Sequence, residues 1–521
     1  MIQNLEILLD DRPGALIRIL TPIAENDCNI LGIYHGPKRE EDSLVPVFIK
    51  FEVPDEKAKT VIESVARQLS KYAAQIIKFA ASGDPMGGKK GKKKGLIIIL
   101  DGAADLPTPE LGGKTPLEAA HIPTLDKMAR EGINGVFSAF GPSVLVGSDT
   151  AIMAILGYDP YKVYTGRGPL EAAGAGLDLL PGDVAFRCNY ITVTDDMKII
   201  NRTAGYPREG IEILEQEINR LELHDKKVDF TFKNSMDYRC VLRFRGYNIS
   251  AQVSDMDPNY NAIPDALDNV DLLQEGESKV ILAKPTVAAG EAKNMAKILN
   301  EFVSKSHLIL KDLPFNRERI AAGLPPANCV LPRGGGETPS MKSFRSQWGL
   351  SAGCVAGTGL VKGMARLMGM EVPEIPGATG YVDTDYLAKA KAAVELLNNN
   401  KDLVLLHIEG IDEVSHDKDA PRKIKAIEES SETMISYLLD NISDDVVIFV
   451  LSDHTTAVSL GDHTGDPTSF LAWMKNPVFR SDGVTRYCEA ESIKGGIGHI
   501  RALEVMPMML NYMGRASKFG A

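Results

Sequence analysis

Residues of metal-ligand type recur in this sequence at one kind of place, just beyond a short apolar run. Gly95–Leu100 ends in Asp101, Leu403–Ile408 leads to Asp412-x-x-x-His416, and Val446–Leu451 leads to Asp453-His454, with His463 following on a polar Gly/Asp loop. Apolar runs of this length bounded by turn residues read as buried parallel strands, and α/β sheets place their ligand sites beyond strand C-termini. Asp412 and His416, four apart, share a helix face, so one carboxylate and one imidazole reach the same ion. Asp453 and His454 are adjacent at a strand end and diverge there, which would suit them to two different ions. Singly, each residue is a weak signal, and a solvated helix face is the plainer reading of Asp412 and His416. Their recurrence after strand after strand is what points to an enzyme. Mixed oxygen and nitrogen ligands at one sheet edge suit two divalent ions, Mn²⁺ or Zn²⁺, and admit Mg²⁺.

A nucleophile is also available. Gly147-Ser148-Asp149-Thr150 precedes a helix-like stretch, Ala151–Leu156. Serine at that position is ordinarily an N-cap. Beside two metal ions and the positive end of a helix, however, its hydroxyl is placed to attack a phosphoryl group.

The chain must supply the scaffold for these groups. At 521 residues it exceeds a single core, and 44% hydrophobic with 25% charged residues describes a globular protein. No apolar stretch approaches the ~20 residues that span a bilayer. No secretory signal is evident at the N-terminus, and the six cysteines form no C-x-x-C pair, which points to the cytoplasm. A net charge of −12 argues against general nucleic-acid binding. Residues 1–82 read as strand, helix, strand, strand, helix, strand, with strands at Asn4–Leu9, Asn29–Tyr34, Val45–Val53 and Gln75–Phe79 and helices at Ala15–Asn26 and Lys57–Tyr72. That is the ferredoxin-like order. Residues 83–94 are Gly- and Lys-rich and form a linker. Gly83-x-x-x-x-Gly88-Lys89 within it is not a phosphate loop, because Lys90 stands where Ser or Thr is required. The α/β core is expected over 95–178 and 326–521. Residues 179–325, with strand-like runs and amphipathic helices but no Asp/His ligand pattern, read as an inserted domain.

Two resemblances follow. Asp11-Arg12-Pro13-Gly14-Ala15-Leu16 and Cys28-Asn29-Ile30 resemble an ACT domain, a small amino-acid-binding regulatory module. An ACT-like unit implies a homodimer and an amino-acid effector near Asp11, Gly14, Asn29 and Ile30, a helix N-terminus leaving N–H groups for a carboxylate. Gly147–Ala151, Leu156–Asp159, Tyr164–Ala172, Asp183–Asn189, Pro376–Gly380, Asp412–His416, Ser452–Thr456 and His463 resemble the archaeal-type 2,3-bisphosphoglycerate-independent phosphoglycerate mutases of the alkaline phosphatase superfamily. That resemblance implies an alkaline-phosphatase-like core with a mostly parallel sheet and an inserted α+β cap domain. It implies that Asp101, Ser148, Asp453 and His454 hold one metal and Asp412, His416 and His463 the other, with Ser148 as nucleophile. Arg167, Arg187 and Arg202 lie in matching segments and, with Lys362, would grip the small phosphorylated substrate through its phosphate and carboxylate. The sequence departs from the family at Asn201–Tyr206, Asn259, Glu409 and Ser415, all on the substrate side. Those departures leave a competing expectation of a homoserine kinase-like phosphotransferase regulated by the ACT-like unit, and a third, a non-catalytic amino-acid sensor.

Overall fold

The computed structural model describes residues 2–10, 16, 20, 21, 23, 28–35, 44–52, 75–79, 93–258 and 278–516. The chain divides into two compact units, Met1–Gly91 and Lys92–Ala521.

In the first unit β1 (Ile2–Asp10), β2 (Asn29–His35), β3 (Leu44–Glu52) and β4 (Gln75–Phe79) form an antiparallel sheet in the order β2-β3-β1-β4. This is the order in which the ferredoxin-like chain lays down its strands. Ile23, Cys28, Val47 and Ile49 are buried. Asn29 and Ile30 open β2. The turn carrying Asp11 and Gly14, the helix expected over Lys57–Tyr72 and most of that over Ala15–Asn26 lie outside the described residues.

The second unit is built on a seven-stranded sheet. Its strands are β5 (Lys94–Leu100), β6 (Ile133–Ser138), β12 (Ala352–Val355), β13 (Leu403–Ile408), β14 (Val446–Leu451), β17 (Thr468–Trp473) and β18 (Gly498–Arg501), in the order β12-β13-β5-β14-β17-β6-β18. The pairings β12/β13, β13/β5, β5/β14 and β6/β18 are parallel, and those of β17 with β14 and β6 are antiparallel. The sheet is mostly parallel, as expected. Every residue of β13 and β14 is buried, because helices cover both faces. On one face Ile97, Ile99, Leu405 and Phe449 pack against helices Ser148–Ile155, Gly359–Leu367 and Ala502–Tyr512. On the other, Leu96, Ile98, Leu406 and Ile448 meet helices Pro123–Glu131, Tyr386–Asn398 and Ala420–Glu429.

A second, antiparallel sheet contains β7 (Val184–Val193), β9 (Val228–Met236), β10 (Arg239–Gly246) and β11 (Cys329–Glu337) in the order β11-β7-β10-β9, with β8 (Ile199–Asn201) on β7. Phe186, Phe232, Phe244 and Phe302 form its core with the helices Ile211–Asn219 and Gly290–Leu310. One boundary differs from expectation. β11 falls beyond residue 326, where the core was to resume, yet it pairs with β7, Arg333 opposite Arg187. Cys329, Val330 and Leu331 bury their side chains in the second sheet's core, and Pro332 is tolerated because β11 is an edge strand. The chain re-enters the main sheet only at β12.

Candidate active site

Asp101 leaves the end of β5 and is 1% exposed. Beyond β14 the chain bends at Asp453 and His454 instead of continuing extended, and that bend brings two side chains expected to diverge onto the same point. His454 Nε2 lies 3.3 Å from Asp101 Oδ1 and 3.4 Å from Asp453 Oδ2. Ser148 Oγ lies 3.1 Å from the same nitrogen. Asp101 Oδ1 and Asp453 Oδ2 are buried, and neither has a hydrogen-bond partner. Buried carboxylate oxygens without donors are costly, and a cation between them removes the cost. Burial, then the neighbouring Asp453, Asp412 and Glu409 carboxylates, push the Asp101 carboxyl well above its usual range. That accumulated negative charge is the electrostatic demand that divalent ions meet.

The second group comes from helix Gly410–His416, which follows β13, and from the short hairpin β15 (Thr455–Ala457) and β16 (Asp462–Thr464). His416 Nε2 is 3.3 Å from Asp412 Oδ2, and His463 Nε2 is 3.6 Å from Asp412 Oδ1. His416 Nδ1 donates to the Gly461 carbonyl at 2.9 Å, and His463 Nδ1 to that of Val146 at 2.7 Å. With each Nδ1 proton committed to a carbonyl, both Nε2 lone pairs turn inward, the arrangement that metal-binding histidines use. Those two Nε2 atoms sit 3.2 Å apart, where only a proton or a cation keeps them. Burial works against ionising Asp412, but His416, His454 and His463 hold it below the usual range, and Asp412 in turn lifts His416 to about 9. The His454 ring stacks on His463 with centroids 3.8 Å apart, so His454 adjoins both groups. Asp412, His454 and His463 offer ligand atoms within 4.8 Å of one another, as do Asp101, Asp453 and His454, so each group is a candidate for holding a cation.

Ser148 is the first residue of helix Ser148–Ile155, and Gly147 occupies the cap position without a side-chain cap bond. The serine hydroxyl therefore does not serve the helix. It points to His454 instead. The next residue, Asp149, accepts from the Tyr164 hydroxyl at 2.6 Å, anchoring the loop that presents the serine.

Basic residues gather between the inserted sheet and the core. Arg167 opens helix Arg167–Gly174 and pairs with Glu171 at 3.3 Å. Burial, then Arg333 and Arg167, push Arg187 down to about 10. Asp257 bridges Arg202 at 2.5 Å and Arg333 at 3.6 Å. Guanidinium groups converging closely enough to depress Arg187 make a site for an anion with several oxygens. Lys362 is placed differently, its ammonium 3.2 Å from the Glu374 carboxylate.

Four residues of this region were not among the expected site residues. Arg333 stands in a Gly-rich run, and its register opposite Arg187 places it here. Burial lowers the Arg239 guanidinium on β10, but Tyr238, then Glu413 of the Asp412 helix and Glu171, hold it above its usual range. Glu409, three residues before Asp412, is pushed by burial up to about 8. His407 is a single polar residue inside an apolar strand, a signal that was present and easily taken for core.

The profile of 2,3-bisphosphoglycerate-independent phosphoglycerate mutase matches residues 129–316, and that of the ACT domain residues 4–70. A 2,3-bisphosphoglycerate-independent phosphoglycerate mutase of Methanothermobacter thermautotrophicus is 41% identical over 82% of this chain and all of its own length. Its counterpart in Methanocaldococcus jannaschii is 43% identical over 83% of this chain and 100% of its own. Among solved structures, a Pyrococcus horikoshii protein aligns with 82% of this chain and 100% of its own, at 36% identity and TM-score 0.68. The cofactor-independent phosphoglycerate mutase of Thermoplasma acidophilum aligns with 81% of this chain and 100% of its own, at 31% identity and TM-score 0.58.

Proposed function

Because the chain belongs to the 2,3-bisphosphoglycerate-independent phosphoglycerate mutase family and carries out that family's interconversion of 3- and 2-phosphoglycerate, we propose that Ser148 is the residue through which the phosphoryl group passes. The observation that carries this assignment is the Ser148 Oγ–His454 Nε2 contact of 3.1 Å beside two orphaned carboxylate oxygens. Ser148 Oγ attacks phosphorus as the donor oxygen leaves, and the proton lost by the serine is taken up by the departing hydroxyl. Arg187, Arg333, Arg167 and Arg202 keep hold of the glycerate carboxylate while the molecule turns. The other hydroxyl then attacks phosphorus and Ser148 is released, proton restored. No bisphosphate is consumed, because the serine stores the group between the two half-reactions.

Asp101, Asp453 and His454, with Ser148, are suited to one divalent ion, and Asp412, His416 and His463 to the other. When bound, the ions supply Lewis-acid stabilisation of the oxygens around an in-line phosphoryl displacement. Mixed carboxylate and imidazole donors favour Mn²⁺ or Zn²⁺ and admit Mg²⁺. The homoserine kinase-like alternative gains no support from the relatives. The chain, chelated and then resupplied with Mn²⁺, is offered 3-phosphoglycerate and, separately, homoserine with ATP. Formation of 2-phosphoglycerate without added bisphosphate is expected. Phosphohomoserine alone would replace this reading.

The ACT unit supports a regulatory role, with an amino acid near Asn29 and Ile30 as effector and a homodimer as the assembly. The cytoplasm is the compartment we propose for this reaction. No helix among the described residues is long and apolar enough to cross a membrane.

A further inference from the structure

We propose that His407 is a positioning residue for the first metal, its Nε2–H holding one oxygen of Asp101 so that the other faces the cation. The inference rests on the assignment of Asp101 as a ligand. β13 is otherwise aliphatic and wholly buried, and His407 is 0% exposed. An imidazole there pays a desolvation cost that Leu or Val would not. The parallel register pairs His407 with Ile99 of β5. Side chains alternate along a strand, so Asp101, two residues beyond Ile99, is the next side chain on the face His407 occupies. Nε2 reaches Asp101 Oδ2 at 2.9 Å. An ionised ligand carboxylate only accepts, so Nε2 carries the ring proton. Nδ1 is buried with no hydrogen-bond partner, so the ring is not held in the strand by a bond from its other nitrogen. The two Asp101 oxygens are thereby made unequal. Oδ2 is tied to His407, while Oδ1 has no hydrogen-bond partner and sits 3.3 Å from His454 Nε2.

The test compares His407→Leu, His407→Gln and His407→Asn with wild type and Asp101→Asn, all chelated and without substrate. Mn²⁺ binding is read from the paramagnetic resonance of the free ion, and thermal unfolding of the metal-free chains is recorded beside it. His407→Leu is expected to weaken one of two bound ions by about 10- to 100-fold. His407→Gln, whose amide reaches the Nε2 position, is expected to restore most of the affinity, and His407→Asn, whose amide stops near Nδ1, to restore none. A purely structural role would lower metal-free stability and leave metal affinity unchanged in whatever folds. Wild-type affinity for both ions in His407→Leu would overturn the proposal. If that variant does not fold, equal affinities in the Gln and Asn variants would overturn it too. Two ions bound normally by Asp101→Asn, or none by wild type, would instead remove the ligand assignment beneath it.

Discussion

Ser148 and His416 allow the chemistry to be probed one side chain at a time. The serine hydroxyl is free of any capping duty, so Ser148→Ala should leave the fold intact and lower mutase turnover by about 10³-fold or more. Steady-state assay with matched circular dichroism checks this; a tenth of wild-type turnover retained would exclude Ser148 as carrier. His416 bears on pH. Asp412 raises it from 6.5 to about 9, so in the metal-free chain the pair contributes stability fully below pH 6.5 and loses it as pH rises through about 9. A cation at this group must displace that proton. Metal affinity there should therefore rise by about tenfold per pH unit between 6.5 and 9 and then level off. Mn²⁺ titrations across that window read the slope directly. A flat profile would remove His416 from the ligand set.

At the scale of elements, the turn after β5 is a tight constraint beside the site. Gly102 has φ of +60°, and a Cβ there would stand 2.6 Å from both Asp412 Oδ1 and Thr456 Oγ1. Gly102→Ala should cost about 1–2 kcal/mol from the left-handed backbone alone. It should also displace Asp412 and weaken metal binding, so the melting temperature and the Mn²⁺ affinity fall together. Unchanged values for both would show that the two loops are not in register. The strands leading to these loops were legible in the sequence because β5, β13 and β14 are buried on both faces and so read as continuous apolar runs. The approach of Asp453 and His454 to one point was not legible from their spacing, only from the family resemblance, since it depends on a bend that no residue in Ser452–Thr455 announces. β11 was hidden for a different reason. Pro332 and the Gly334–Gly336 run look like a loop, and only pairing with β7 turns them into an edge strand.

For the whole molecule, the division into Met1–Gly91 and Lys92–Ala521 places every candidate catalytic residue in the second unit. A chain of residues 92–521 should keep the mutase turnover of the full chain while losing any response to amino acids. Calorimetry with serine and threonine on the two chains, alongside kinetics, checks this. Binding retained by the shorter chain would place the effector site elsewhere, and loss of its turnover would make the ACT unit part of the catalyst. The central claim, phosphoryl passage through Ser148, has a direct measurement. The metal-restored chain is quenched during turnover of 3-phosphoglycerate, digested, and its phosphopeptides located by mass spectrometry. The expected result is phosphate on Ser148 that appears only when metal is restored and is absent from Ser148→Ala. Sustained turnover with the Ser148 peptide unmodified, or with phosphate on another residue, would contradict it.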